Sequence, residues 1–160
     1  MHACLYVLHE QFDDVDDLLR PYDEDNEEYF EFDYDPDYCY PIDEITQDEA
    51  EENGMVCDET GEYYGHYYNT QGKYDYYDIG GRWEDILPLK DGEYTNSAKI
   101  SDIDIDNVEP PAHYITPDGI WHDNGMMILK PADEDQVIEF RNYLRTLHPN
   151  TMITVVDIHY

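Results

Sequence analysis

The chain has 160 residues, with forty Asp or Glu against eight Lys or Arg, a formal net charge of −32 and a 14% aromatic content that includes seventeen Tyr. A field of that size works against any compact state by self-repulsion. It excludes casual attachment to nucleic acid or to an anionic membrane surface, and leaves strongly basic surfaces and cations as natural partners. The length suits one domain with a real core, and no run of about 18 apolar residues offers a membrane-spanning helix.

Residues 2–9 alternate as a strand, with Leu5 and Val7 set against Tyr6 and Leu8. MHACLYVLHEQF lacks a basic leader and a small-residue cleavage site, so no signal peptide is expected. Val15, Leu18 and Leu19 recur at helical spacing, predicting a short helix from Asp14 that stops before Pro21. Cys4, Cys39 and Cys57 form neither a CxxC pair nor an even framework, which points to free thiols in the cytoplasm.

Between Glu10 and Glu62 stand twenty-three acids and one base, Arg20. An acidic run usually means a solvated tail, but here the aromatics lie inside the run. In Phe30-Glu31-Phe32-Asp33-Tyr34-Asp35-Pro36-Asp37-Tyr38 rings and acids alternate strictly. As a strand this segment would turn its rings inward and show carboxylates outward, roughly 6.7 Å apart. Pro36 would make it an edge or break it. A Tyr-rich loop with solvated acids is the competing reading. The expected partner-binding residues are Asp33, Tyr34, Asp35, Asp37 and Tyr38, followed by the cluster Asp43, Glu44, Asp48, Glu49, Glu51 and Glu52.

YDYYDIGGRW, Tyr74 to Trp83, is the sharpest local motif. The Gly80-Gly81 pair marks a place where side chains do not fit, by positive φ, bulge or close approach. Arg82, surrounded by acids in sequence, is expected to form a structural ion pair, with an anion or ligand contact beside Trp83 as the alternative. The spacing is not that of a phosphate loop. Further on, a strand is predicted at Met126–Lys130 and a helix from Pro131 to about Leu147, with Val137, Phe140, Leu144 and Leu147 on one side. Asp133, Glu134 and Asp135 suit that helix's positive end. Thr151 to Ile158 reads as a buried strand paired with the first.

This order predicts an α+β fold, a ferredoxin-like antiparallel sheet with two helices and a large acidic, Tyr-rich insertion. The expected organisation is a single domain, 1–160, with its core in 1–22 and 112–160 and an elaboration over 23–111.

Chemistry-bearing patterns are sparse. Asp33, Asp35, Asp37 and Glu44 fall at positions 1, 3, 5 and 12 of a calcium loop, but Tyr38 occupies the position that needs Gly. Asp102, Asp104 and Asp106 repeat the alternation, and the loop fails there at Asn107 and His113. Neither is expected to be a dedicated metal site, and no cofactor is expected. Of the seven histidines, His159 shares a strand face with Asp157, opposite the strand that carries His2 and His9. With Gly80, Gly81, Arg82 and Trp83, the Asp157/His159 pair is the candidate ligand, metal or acid–base site. A hydrogen-bonded structural His at a sheet end is the alternative. No HExxH or GxSxG motif is present.

LLRPYDED (Leu18–Asp25), KYDYYDIGGRW (Lys73–Trp83), LPLKDG with SAKISDIDID, and the closing VVDIHY together resemble a family of uncharacterised bacteriophage proteins. That family carries a PYDE segment, a KWDWYxIGGRW centre and a terminal VDCHI. Tyr74, Tyr76 and Ile158 stand where it more often has Trp, Trp and Cys. The resemblance implies a phage or prophage origin and no particular activity. In that setting the acidity suggests an inhibitor that mimics DNA in the basic groove of a CRISPR or restriction nuclease of the host cytoplasm. It would contact no nucleic acid and no membrane, and a homodimer joined through its less acidic sheet would lengthen the anionic surface. A small enzyme or a metal- or ligand-binding protein is the second class.

Overall fold

The computed structural model describes residues 1–124 and 131–160, so the expected strand at Met126–Lys130 lies outside the described residues. The chain runs β1 (His2–His9), α1 (Val15–Leu19), β2 (Phe30–Phe32), β3 (Tyr40–Pro41), α2 (Gln47–Glu52), β4 (Val56–Cys57), β5 (Tyr63–Gly65) and β6 (Tyr67–Asn69). It continues through β7 (Tyr76–Ile79), β8 (Leu87–Pro88), β9 (Tyr94–Thr95), β10 (Ser97–Lys99), β11 (His113–Ile115), β12 (Trp121–Asp123), α3 (Glu134–Thr146) and β13 (Met152–His159). These elements form two compact units, Met1–Arg20 with Tyr74–Tyr160, and Pro21–Lys73.

The larger unit is built on β1 and β13, which pair antiparallel over their full length, from His2↔His159 to His9↔Met152. Both are buried on both faces, which is why they read as nearly continuous apolar runs. Cys4, Tyr6, Leu8, Ile153 and Val155 share one face and pack with Phe140 and Leu144 of α3. A capping box between Asp133 and Gln136 starts α3, Glu134 and Asp135 face its positive end, and Arg145 lies in its last turn. It begins at Glu134 rather than at Pro131 because Asp133, as cap, takes an extended conformation. Truncating Leu144, which is fully buried, would cost about 2–5 kcal/mol.

The chain is thus α+β, but its main sheet is mixed. On its other edge β1 pairs in parallel with β11 (Leu5↔His113 to Val7↔Ile115), and β12 closes that side antiparallel to β11. The described strands therefore do not form the expected all-antiparallel ferredoxin-like sheet, in which both neighbours of the first strand run against it. Among the described residues three α-helices are present where two were expected, the extra one being α2. Residues 74–111, which the sequence placed in the elaboration, give β7 and β10 to the sheet and Leu87, Ile100, Ile103 and Val108 to its core.

The smaller unit has little apolar mass and relies on ring contacts. Phe32 lies 4.7 Å from Tyr34 and 5.1 Å from Tyr67, and Tyr34 lies 5.7 Å edge-on from Tyr63. A Cβ on Gly65 would come within 2.7 Å of the Phe32 ring and would have to displace it. β2 pairs with β6, and β3 and β4 flank β5. Asn69 closes the unit by donating to the Pro21 and Asp23 carbonyls, both at 2.8 Å.

Candidate functional site

Two regions carry the residues singled out by sequence. The first is the acidic surface of the smaller unit. The alternating segment is a strand only over Phe30–Phe32. Beyond Phe32 the carboxylates take over the backbone: Asp33 Oδ1 accepts from the Asp35 N–H at 2.9 Å and Asp35 Oδ1 from the Asp37 N–H at 3.0 Å. Short Asp side chains that bond the backbone two residues on favour turns over ladders. The regular strand-face ridge is thus replaced by successive turns, with Asp35, Asp37, Tyr34 and Tyr38 exposed and Asp33 half-buried. In α2, Thr46 and Glu49 form a capping box, and Asp48, Glu49, Glu51 and Glu52 are exposed, as are Asp43 and Glu44 before it.

The sequence reading missed the organiser of this unit, Asp58. It is 5% exposed and accepts from Thr60 Oγ1 at 2.7 Å, Tyr34 Oη at 2.9 Å, and the N–H groups of Glu62 and Tyr63 at 3.0 and 3.2 Å. Its only sequence signal is the turn-like Asp58-Glu59-Thr60-Gly61. Across this unit eighteen acids face one base, Lys73. Among the described residues every ion pair lies in the other unit.

The second region is one end of the main sheet in the larger unit. β13 is bordered first by β7, along Val156–His159, and then by β10, along Met152–Thr154. The edge changes hands at Val155, whose carbonyl accepts from Gly80 and whose N–H donates to Asn96. Gly80 and Gly81 both have positive φ, 73° and 53°. A Cβ on Gly81 would lie 2.4 Å from Asp157 Cβ, so the pair is both a left-handed turn and a close approach.

Beneath that turn Asp157 is 4% exposed. Its Oδ1 accepts from His2 Nδ1 at 2.8 Å and its Oδ2 from the Arg82 N–H at 3.0 Å. Arg82 therefore serves Asp157 through its backbone. Its guanidinium is exposed, and among the described residues it forms no ion pair, contrary to the structural pairing expected. Trp83 packs against the core. Burial, together with the nearby Asp157 charge, pushes the Cys4 thiol well up, which leaves it inert.

His159 shares a face with Asp157 but has its own carboxylate. Its Nδ1 donates to Asp75 at 2.7 and 2.9 Å, and this bond holds the Asp75 carboxyl below its usual range despite an opposing burial effect. The His2 and His159 rings are 5.0 Å apart, and Tyr76 stacks on His159 at 4.9 Å with its hydroxyl 3.4 Å from His2 Nε2. Two Asp–His dyads thus lie side by side. Each ring commits Nδ1 to a carboxylate, so Nε2, which in His2 already meets the Tyr76 hydroxyl, is the atom for proton transfer or ligation. Among the described residues no group of three or more His, Cys, Asp or Glu is arranged to hold a metal ion. Asp75 and Tyr76 were missed as members although both belong to the YDYYDIGGRW motif.

Comparison with protein-family models, curated proteins and solved structures finds no match for this chain. Among the described residues no helix is long and apolar enough to cross a membrane.

Proposed function

We propose that this is a phage-type inhibitor that occupies the basic nucleic-acid groove of a host DNA-handling defence enzyme, a CRISPR or restriction nuclease of the host cytoplasm, as a DNA mimic. The observation that carries the reading is the smaller unit, where eighteen acids against one base are held on a defined framework. Backbone N–H groups meet its turn carboxylates, so their net charge stays available to a partner. Glu51 and Glu52 lie in the last turn of α2, where the helix dipole disfavours negative charge. Charge placed against local stability fits a surface selected for binding. Exposed Tyr34, Tyr38, Tyr40 and Tyr68 supply the aromatic anchors that costly carboxylate burial requires.

The test is competition. A tagged chain incubated with host lysate should retain a DNA-binding enzyme that duplex DNA releases and that rising salt weakens steeply. Asp37, Glu51 and Glu52 changed to Lys should reduce that binding by tenfold or more with the fold intact. These three serve better than Asp33 and Asp35, whose side chains hold turns. Retention that neither DNA nor salt disturbs would sink the proposal.

The paired dyads favour a second reading, a small enzyme or ligand-binding protein acting through His2, Asp157, His159 and Asp75. It requires that His159→Ala abolish an activity while the chain stays folded.

A further inference from the structure

A groove of ≈ 580 Å³ opens on the larger unit beside the loop between β1 and α1. Its floor is a hydrogen-bond chain whose polarity follows from its first member. His9, 6% exposed, has Nδ1 2.8 Å from the Glu10 carbonyl oxygen. A carbonyl only accepts, so Nδ1 carries the proton, and in the neutral form of the ring Nε2 is an acceptor. Thr154 Oγ1, 2.8 Å from Nε2, donates to it. Thr154 Oγ1 then accepts from the Ser97 hydroxyl at 2.8 Å. Ser97 is exposed, and with its one proton turned inward it shows the groove only lone pairs.

The walls extend this selectivity. Among the described residues Asp13 and Asp14 use their carboxylates on backbone N–H groups, those of Glu10 at 3.1 Å and Asp16 at 3.0 Å. Asp16 already holds Arg20 and the Tyr77 hydroxyl. The remaining wall holds Gln11 and apolar side chains that are unusually bare: Phe12 is 94% and Ile79 49% exposed. Acceptors and unneutralised carboxylates on one side, an aromatic ring and an aliphatic branch on the other, complement an apolar stem ending in a donor-only cation.

We propose that this groove takes a lysine or arginine side chain from a basic protein partner, its stem against Phe12 and Ile79 and its head at Ser97 Oγ and Asp14. This rests on the reading of the partner as a basic protein, and it adds a side-chain-specific contact to that reading's general attraction.

The test is an NMR titration of the full chain with a blocked Gly-Lys-Gly peptide and its norleucine counterpart, in about 0.3 M salt to screen long-range attraction. The lysine peptide should give saturable shifts centred on His9, Phe12, Ile79 and Ser97, and the norleucine peptide none. Phe12→Ala and Ser97→Ala should each weaken binding about three- to tenfold. Because Phe12 lies in solvent, its variant tests the site without disturbing the core. Equal shifts from both peptides, shifts spread evenly over the carboxylates, tighter binding of free spermidine than of the peptide, or unchanged affinity in both variants would overturn the assignment. Saturable lysine binding without any DNA-displaceable partner would support the groove and sink the mimicry. A DNA-displaceable partner with no lysine binding would sink the groove alone.

Discussion

The Tyr34 hydroxyl donates to Asp58 Oδ2 at 2.9 Å, across 24 residues of chain, so an exposed ring is anchored through a buried carboxylate. Burial alone would raise Asp58. The hydroxyls of Thr60 and Tyr34 and the N–H groups of Tyr63 and Glu62 outweigh it and hold the carboxyl down to about 2. The same bond, with burial, pushes the Tyr34 phenol up to about 12.

The sign of the resulting pH dependence is set by that depression. The Asp58 contribution is complete above its ordinary value of 3.8 and is lost as pH falls through about 2. Tyr34→Phe removes one donor, so Asp58 should titrate closer to 3.8 and acid unfolding should begin at higher pH. Carboxyl ¹³C titration and near-ultraviolet circular dichroism of both proteins check this. An unchanged Asp58 titration would show that the phenol is not among its supports.

Salt should stabilise this protein. Self-repulsion at a formal charge of −32 is screened as salt rises from about 0.01 to 1 M and the Debye length falls from about 30 to 3 Å. Relief of ~2 kcal/mol would appear as a Tm increase of roughly 4–8 °C at this chain size. Scanning calorimetry across that range decides it, and a flat or falling Tm would mean that specific ion pairs outweigh the net field.

The parts of the fold legible in sequence are those whose pattern is set by burial. β1 and β13 coincide closely with the predicted strands, and α1 and α3 carry their apolar residues at helical spacing. The alternation at Phe30–Tyr38 misled because period-two patterning says nothing about competition for the backbone, which Asp33 and Asp35 win with their side chains. The site was half visible. Asp157, His159 and the glycine pair stood out as residue types, whereas the Asp75 partner of His159 lies 84 positions away and depends on the pairing of β7 with β13. The parallel β1–β11 pairing likewise depends on the path between the strands rather than on local pattern.

Gly81→Ala should be among the most damaging single changes in the chain. It adds a Cβ at φ 53° and within 2.4 Å of Asp157 Cβ, displacing the carboxylate from His2 and from the Arg82 N–H. Strain together with the lost bonds should cost about 3 kcal/mol or more. Arg82→Ala keeps the backbone N–H and should stay within about 0.5 kcal/mol of the parent. Urea unfolding of the two variants gives the comparison, and equal midpoints would remove the glycine–aspartate contact from the account.

Independence of the two dyads is testable at Asp75. His159→Gln removes the bond that chiefly lowers the Asp75 carboxyl, so Asp75 should titrate nearer its ordinary 3.8. A carboxyl with a depressed native value stabilises the fold above its ordinary range and loses that contribution as pH falls, so the variant should also show weaker acid dependence of stability. His2 keeps its own acceptor in Asp157, at 2.8 Å, and its ¹⁵N shifts should still report a proton on Nδ1. If the His2 shifts instead move as far as those of Asp75, the 5.0 Å ring contact and the Tyr76 stack couple the pair, and the two dyads form one hydrogen-bonded network rather than two.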